Sequence, residues 1–498
     1  MLFILLIIVV SVLTILPLLL YGYFWQSYRY WANRKVPYLE PVFPRGNLKK
    51  ILSMNRGYNL EFWRFYNKMK ANQWDYGGVY TINTPVLVIV KPELAKLVLV
   101  KDFNYFVDRG FYTNSEEMMS LFTSDEDHWR VRRMHLTPTF TSQKTKMMYP
   151  LMIKTSDSLI NAMGDLVDQK QDIDMSEFVS KFTTDVIVSC AFGLEANSFS
   201  TDKQIFRDIG KHGMEEFSFL WSVKTTIMNY HPDLAGKLGL EHMKEDVKKF
   251  FIDTVAETVN YRKTNNVTRP DFLQMCIDMM ENTKDTDDPF TFHTLVSEVH
   301  SFFVAGFDTS SAVITLGLYE LAQHHDIQER LRKEIHEAMR NNNNKIDYET
   351  LLEMKYLNQV VDETLRKYPS VPIVQRRCVR DYYLEDTLIE KGTQVVVSII
   401  GIHRDPEYYP DPLKYDPERF SSKNRANIGS STFIPFSMGP RNCIGLRFGL
   451  LQVKIALTQI LNNFRISISP RMKMPIELDE DVFLMKTKGP LYLKAERL

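Results

Sequence analysis

The chain has 498 residues, of which 44% are hydrophobic and 24% charged, ordinary globular proportions that exclude a disordered or low-complexity protein. Lys plus Arg and Asp plus Glu each number 61. That balance leaves no basic excess for nucleic-acid binding, although a local basic patch can still serve a protein partner.

Residues 1–25, MLFILLIIVVSVLTILPLLLYGYFW, contain no charged side chain. At about 1.5 Å per residue this helix is long enough for the roughly 30 Å hydrocarbon core, so the segment reads as one N-terminal transmembrane helix, tolerant of Pro17. Tyr21, Tyr23, Phe24, Trp25, Tyr28, Tyr30 and Trp31 are expected to form an aromatic belt at the exit. Arg29, Arg34 and Lys35 follow and no basic residue precedes, which puts the rest of the chain in the cytosol. A cleaved signal peptide would be shorter, with a basic start and a small-residue exit. On the cytosolic side the sequon Asn266-Val267-Thr268 is expected to stay unglycosylated.

Residues 26–48 hold Pro37, Pro41, Pro44 and Gly46, the spacing of a stiff extended linker. One domain is expected over 49–498. Helical periodicity dominates from about residue 49 to 370, and β-branched runs at 79–82, 86–90 and 394–399 read as a small sheet. The fold class is therefore mainly α with a minor β region. Beyond residue 400, Pro406, Pro410, Pro412, Pro417, Pro435 and Pro440 mark long ordered loops, which are usually functional.

From Thr291 to about Gln323 the chain has no proline and is mostly apolar, predicting a helix of roughly 45–50 Å that crosses the whole domain. Between Ser301 and Ala322 its only charges are Asp308 and Glu320, and a buried acid in mid-helix needs partners. Gly306 would let a bulky ligand approach the backbone. The Thr309 hydroxyl can bond the Ala305 carbonyl one turn back.

The four cysteines, Cys190, Cys276, Cys378 and Cys443, are more than 60 residues apart, which excludes paired-cysteine zinc sites and a disulfide framework. Cys443 sits in the loop PFSMGPRNCIG, with glycines four before and two after it and an apolar helix following. Backbone N–H groups and a helix start stabilise a thiolate, and Arg441 can hold an anion beside it. A lone thiolate suits an axial ligand of haem iron better than zinc. Nucleophilic catalysis would want a histidine, and the nearest in sequence, His403, has nothing to place it in reach.

The loop resembles the haem-thiolate loop of cytochrome P450, complete at Phe436, Gly439, Arg441, Cys443 and Gly445. Three further patterns stand in that family's order: Trp129-Arg130-Val131-Arg132-Arg133, Ala305-Gly306-Phe307-Asp308-Thr309, and Glu363-Thr364-Leu365-Arg366 followed by Pro417-Glu418-Arg419-Phe420. The resemblance covers essentially the whole chain, anchor and linker included. Its segments FVDRG, ETLRKYP and GPRNCIGLRFG look most like arthropod members related to the vertebrate drug-metabolising group.

The resemblance implies the cytochrome P450 fold and haem b (iron protoporphyrin IX) as cofactor. Cys443 would be the axial iron ligand, its thiolate favouring O–O cleavage. Asp308 and Thr309 would organise proton delivery to dioxygen. Arg441, Arg133, Trp129 and Arg376 would hold the haem propionates, with Arg109 a further candidate and Arg377 competing with Arg376 for its place. Glu363, Arg366 and Arg419 would form a structural ion triad. The substrate pocket would draw on Phe106 to Leu121, Phe302, Phe303, Ala305, Ile373, Val374 and Phe483, an apolar set that implies lipophilic substrates. The 55 residues after Cys443 have no room for a flavin domain, so electrons would come from NADPH–cytochrome P450 reductase at the endoplasmic reticulum membrane, with cytochrome b5 as a further donor. Arg130, Arg132, Lys144, Lys146 and Arg447 would give a basic face for that partner. Membrane lipid is the other expected contact.

The leading expectation is a monooxygenase of xenobiotics. A P450 of one hormone or fatty acid, and a haem-binding sensor without turnover, are the alternatives.

Overall fold

A computed structural model describes residues 2–49, 59–111, 119–200, 204–214, 223–224, 227–228, 232–241, 243–480 and 482–498. The start of the periodic region at 50–58 and the stretch 112–118 of the expected pocket lie outside the described residues. Helices dominate, and nine short strands are described: β1 (Tyr76–Thr81), β2 (Thr84–Ile89), β3 (Ile173–Asp174), β4 (Ile373–Arg377), β5 (Tyr382–Leu384), β6 (Thr387–Ile389), β7 (Gln394–Ser398), β8 (Phe464–Ile468) and β9 (Tyr492–Arg497). The main sheet has the order β1-β2-β7-β4, with β2 and β7 parallel and the other pairs antiparallel. A second sheet runs β3-β9-β8, and β5 and β6 form a hairpin. The runs at 79–82, 86–90 and 394–399 thus fall on β1, β2 and β7. β4 escaped the sequence reading because Gln375, Arg376 and Arg377 break its apolar run.

The central helix spans Phe292–Gln323, and Thr291 caps it by accepting the Thr294 N–H at 3.2 Å. By length and composition it would pass for a membrane span, but 72% of its most apolar window is buried. It is the core of a helical layer, packed by the helices Met175–Ile187, Phe272–Thr283, Lys355–Lys367 and Leu446–Asn463. Gly306 serves this packing. A Cβ there would lie 2.2 Å from the Ile187 Cδ1 atom, so the glycine lets the helix Met175–Ile187 cross closely.

A second core lies on the sheet, and the chain after the N-terminal helix Leu2–Ser27 belongs to it. Trp31 is fully buried, its backbone N–H donates to the Tyr80 hydroxyl at 3.1 Å, and its indole N–H donates to the Val79 carbonyl at 3.2 Å. A side chain at Gly78 would strike that indole, so the strand accepts only glycine there. Trp31 is therefore a core residue and not part of an aromatic belt. The proline segment is pinned as well: Tyr38 bridges to Gly78 and Gly46 to Thr81. Asn266, the sequon residue, ends the helix Glu245–Asn265 in the left-handed conformation at φ +52°.

Gly306→Ala is expected to destabilise the fold by about 1–2 kcal/mol through overpacking against Ile187. Combined with Ile187→Val it should cost less than the sum of the two single changes, read from denaturant midpoints as a double-mutant cycle.

Candidate active site

The cysteine loop is shaped by its backbone. Ser437 N–H donates to the Ile434 carbonyl at 2.9 Å, Asn442 N–H to Gly439 at 3.2 Å, and Cys443 N–H closes the loop onto Phe436 at 3.0 Å. Gly439 has φ +79°, and a Cβ on it would sit 1.8 Å from the Leu99 carbonyl oxygen. Only glycine allows the loop to lie on that segment. The helix Leu446–Asn463 starts directly after Gly445. Cys443 is exposed by area, yet protein surrounds the thiol closely enough that desolvation raises its pKa; the Gly445 N–H and the cations Arg109 and Arg133 pull the other way. The remaining cysteines are buried and free, with burial pushing their thiols up.

Four guanidinium groups and one indole gather near this thiol. Arg133, on the helix Glu126–Leu136, donates to Asn442 through its carbonyl at 3.0 Å and its Oδ1 at 2.9 Å. Trp129 lies one turn earlier, beneath Arg441 at 5.3 Å. Arg441 donates to the carbonyls of Val107 at 2.6 Å and Ser124 at 2.5 Å. Arg109 reaches the Arg441 carbonyl at 3.3 Å. Arg376 is 1% exposed, and one of its amino groups bonds only the neighbouring Gln375 carbonyl at 2.9 Å. Arg377, on the opposite face of β4, is taken by Asp108 at 3.3 Å. Strand alternation thus separates the two arginines that sequence alone left tied.

In this cluster the carboxylates of Asp108 and Asp125 act on Arg441, and none acts on Arg109, Arg133 or Arg376. Arg376 Nε and Nη2, Arg109 Nε, Arg441 Nε and Trp129 Nε1 are buried donors without a hydrogen-bond partner. Burial, then repulsion from its neighbours, lowers Arg441 to about 9. Burial also lowers Arg109 to about 10, with Arg133 adding repulsion. Arg376 is held down by the same causes. Buried polar groups are normally satisfied and buried charges paired. Five orphaned donors converging beside one thiol fit a planar cofactor with carboxylate arms and an iron to ligate.

Above lies the central helix. Although most of that helix is buried, Ala305 is exposed and Val304 and Thr309 are partly so, which marks an open face. The Thr309 hydroxyl donates to the Ala305 carbonyl at 2.6 Å, as its spacing predicted. Asp308 is not free: both its oxygens take the Lys486 ammonium at 2.6 Å. Glu320, the other acid of this stretch, is held by Lys367 at 2.8 Å and the Tyr368 hydroxyl at 2.5 Å.

Glu363 and Arg366 are both fully buried and meet bidentately at 2.6 and 2.8 Å. Arg419 approaches the same carboxylate at 3.6 Å. Arg366 also donates to the His403 carbonyl at 2.9 Å. His403 is no partner for Cys443, because its Nε2 accepts the Ile434 N–H at 2.9 Å and its ring stacks on Phe433.

Part of the expected pocket set is core. Phe302 packs among Phe140, Phe272 and Phe448, and Phe303 among Phe192, Phe206, Phe251 and Phe307. Phe106 is 1% exposed and packs on Tyr382 with the sheet core. Ring-rich runs do not say which ring faces inward. Ile373 and Val374 are buried on β4, whereas Ala305 and Phe483 are accessible. Arg132 leaves the basic face, since it pairs with the buried Glu298 at 3.1 Å. Sequence reading missed Val304, Asn442 and Lys486. The first two adjoin motif residues, but nothing local links Lys486 to Asp308.

The model of the cytochrome P450 family matches residues 44–494 of this chain. This chain belongs to the cytochrome P450 family. It is similar to cytochrome P450 6a2 of Drosophila melanogaster, 37% identical over 495 residues that cover 95% of this chain and 96% of the relative. It is also 37% identical to the probable cytochrome P450 6a20 of the same organism, across 96% of this chain and 97% of the relative. As a P450 it is a monooxygenase, an oxidoreductase with haem b as cofactor.

Three outcomes are expected of this P450. Arg376→Ala should weaken haem binding about ten- to a hundredfold without destabilising the haem-free protein, because it removes an uncompensated charge. Arg377→Ala should leave haem affinity unchanged; titration of the haem-free protein with haemin checks both. His403 is held down to about 3 from its ordinary 6.5 by burial, then by the Arg366 charge. Its depressed pKa contributes stability that is complete above about 6.5 and lost as pH falls toward 3. His403→Gln should flatten the acid limb of the unfolding free energy measured across that window.

Proposed function

We propose that this P450 is a membrane-anchored monooxygenase of lipophilic small molecules, xenobiotics foremost, fed by NADPH–cytochrome P450 reductase. The observation that carries the site assignment is the convergence of orphaned guanidinium and indole donors beside the Cys443 thiol. Cys443 would hold haem there and Arg109, Arg133, Arg376, Arg441 and Trp129 would bind its carboxylates, and the haem would supply dioxygen activation. Phe436 and Gly439 set the loop, and Glu363, Arg366 and Arg419 brace it. Thr309 holds a hydroxyl at the open helix face, and Asp308 is the adjacent acid for moving a proton to it. The accessible Val304, Ala305 and Phe483 give substrates an apolar surface, which supports the lipophilic class.

Anchoring is supported by the helix Leu2–Ser27, which carries no charge and leaves Leu18 and Leu19 exposed. Orientation by Arg29, Arg34 and Lys35 favours the cytosolic face of the endoplasmic reticulum. Exposed Arg447, four residues after Cys443, supports docking of an acidic reductase, and cytochrome b5 suits the same charge; Arg130 and Lys146 are exposed too but pair with Glu126 and Glu349.

The carbon monoxide difference spectrum of the reduced protein tests the ligand. A red-shifted thiolate-type Soret band, lost in Cys443→His, is expected; a histidine-type band in the wild type would refute it. With reductase, Thr309→Ala should uncouple oxygen reduction from product, lowering product per NADPH about tenfold or more.

A further inference from the structure

Asp308 is the one acid at the open part of the central helix, and its partner comes from 178 residues away. Lys486 lies on a C-terminal hairpin in which Leu478 pairs with Thr487, Asp479 N–H donates to the Lys486 carbonyl at 2.9 Å, and Lys488 N–H donates to Glu477 at 2.8 Å. The neighbouring Met485 is 1% exposed, packed with Leu316, Tyr368 and Ile400. Its N–H donates to the Ser370 carbonyl at 2.9 Å, and the Ser370 hydroxyl in turn donates to the Thr309 carbonyl at 3.1 Å. The hairpin therefore grips the acid and the alcohol together: Lys486 holds the side chain of Asp308, and Met485 through Ser370 holds the backbone of Thr309. Three and two residues before Lys486 stand Phe483 and Leu484, the apolar part of the same hairpin.

The Asp308 side chain is 8% exposed and that of Lys486 38%. A carboxylate so buried is costly unless paired, and an ammonium with one side in water is the group that both pairs it and connects it to solvent. Arginine can replace that charge, whereas methionine keeps the length and removes it.

We propose that Lys486 is a positioning residue for proton delivery, fixing the Asp308 carboxylate beside Thr309 and joining it to solvent from the hairpin that carries Phe483. This inference rests on the reading of Asp308 and Thr309 as the proton-delivering pair.

The test uses the full-length holoenzyme with reductase and a lipophilic substrate. Lys486→Met should lower kcat and product per NADPH about tenfold, leave KM and the thiolate-type Soret band unchanged, and raise the solvent isotope effect on kcat. Lys486→Arg should restore most of the coupling. A structural role alone would lower haem content or raise KM but leave the isotope effect unmoved. A separate readout needs no turnover: reductive methylation mapped by mass spectrometry should be several-fold slower at Lys486 than at Lys488, and should speed up at Lys486 in Asp308→Asn. Equal rates at the two lysines in the wild type would overturn the proposal even if Lys486→Met fails to fold. If Asp308→Asn and Thr309→Ala uncouple the enzyme while Lys486→Met does not, only the Lys486 inference falls. If neither Asp308→Asn nor Thr309→Ala uncouples, the underlying reading of the pair falls with it.

Discussion

Four guanidinium groups are packed around one thiol with almost no carboxylate among them, and this is the constraint to which the rest of the structure answers. Taking a single ion out of water costs several kcal/mol even after relaxation. Asp108 is engaged by Arg377 and, with Asp125, offsets part of the charge of Arg441 alone, which leaves the rest of the cluster uncompensated. Backbone carbonyls of Val107, Ser124 and Asn442 satisfy part of the donor set. The donors that remain have no hydrogen-bond partner within the protein. An anionic group would complete such a cluster, so at the proposed haem site folding energy and haem affinity would be coupled.

The ion pair Glu363–Arg366 works in the opposite way, because it is complete within the protein. Both groups are dry and bidentate, and the remaining capacity of the carboxylate goes to Asp416 N–H at 2.8 Å. From Arg366 a continuous line of hydrogen bonds leads to the cysteine. Arg366 donates to the His403 carbonyl, the His403 ring accepts from Ile434 N–H, and the Ile434 carbonyl accepts from Ser437 N–H. Ser437 sits at φ +62°, a left-handed turn that such anchoring helps to hold. This line ties the ends of the proline-marked stretch, at His403 and Ile434, to each other. A neutral His403 is part of it, which is why its protonation and the stability of the loop are linked.

What was legible in the sequence was local. Cys443, Gly439 and Arg441 stand within five residues of one another, Thr309 and Ala305 one helical turn apart, and Glu363 and Arg366 on one face of a helix. Period and spacing report such relations directly. Mainly α architecture, the long central helix and three strands of the main sheet were readable on the same basis. Orientation about an axis was not. Phe302, Phe303 and Phe106 have the composition of a pocket, yet ring packing turns them into the two cores. Trp31 looks like an interfacial aromatic until Gly78 is seen to leave space for its indole. Arg132 looks like a surface charge until Glu298 meets it. Each of these depends on a partner more than 40 residues away, and no local pattern encodes that.

The central helix shows why such long-range partners matter. Within eight residues it serves several neighbours. Phe302 and Phe303 enter aromatic clusters, Gly306 yields to Ile187, Ala305 and Val304 are left open, and Asp308 is drawn to Lys486. A helix presents successive residues about 100° apart, so one segment can pack, line a face and hold a charge at once. The cost is that its register is over-determined: rotation sufficient to move Thr309 would also break the Gly306 crossing and the Asp308 pair. Rigidity of the open face therefore comes from packing on the other faces, to which the C-terminal hairpin contributes through Lys486.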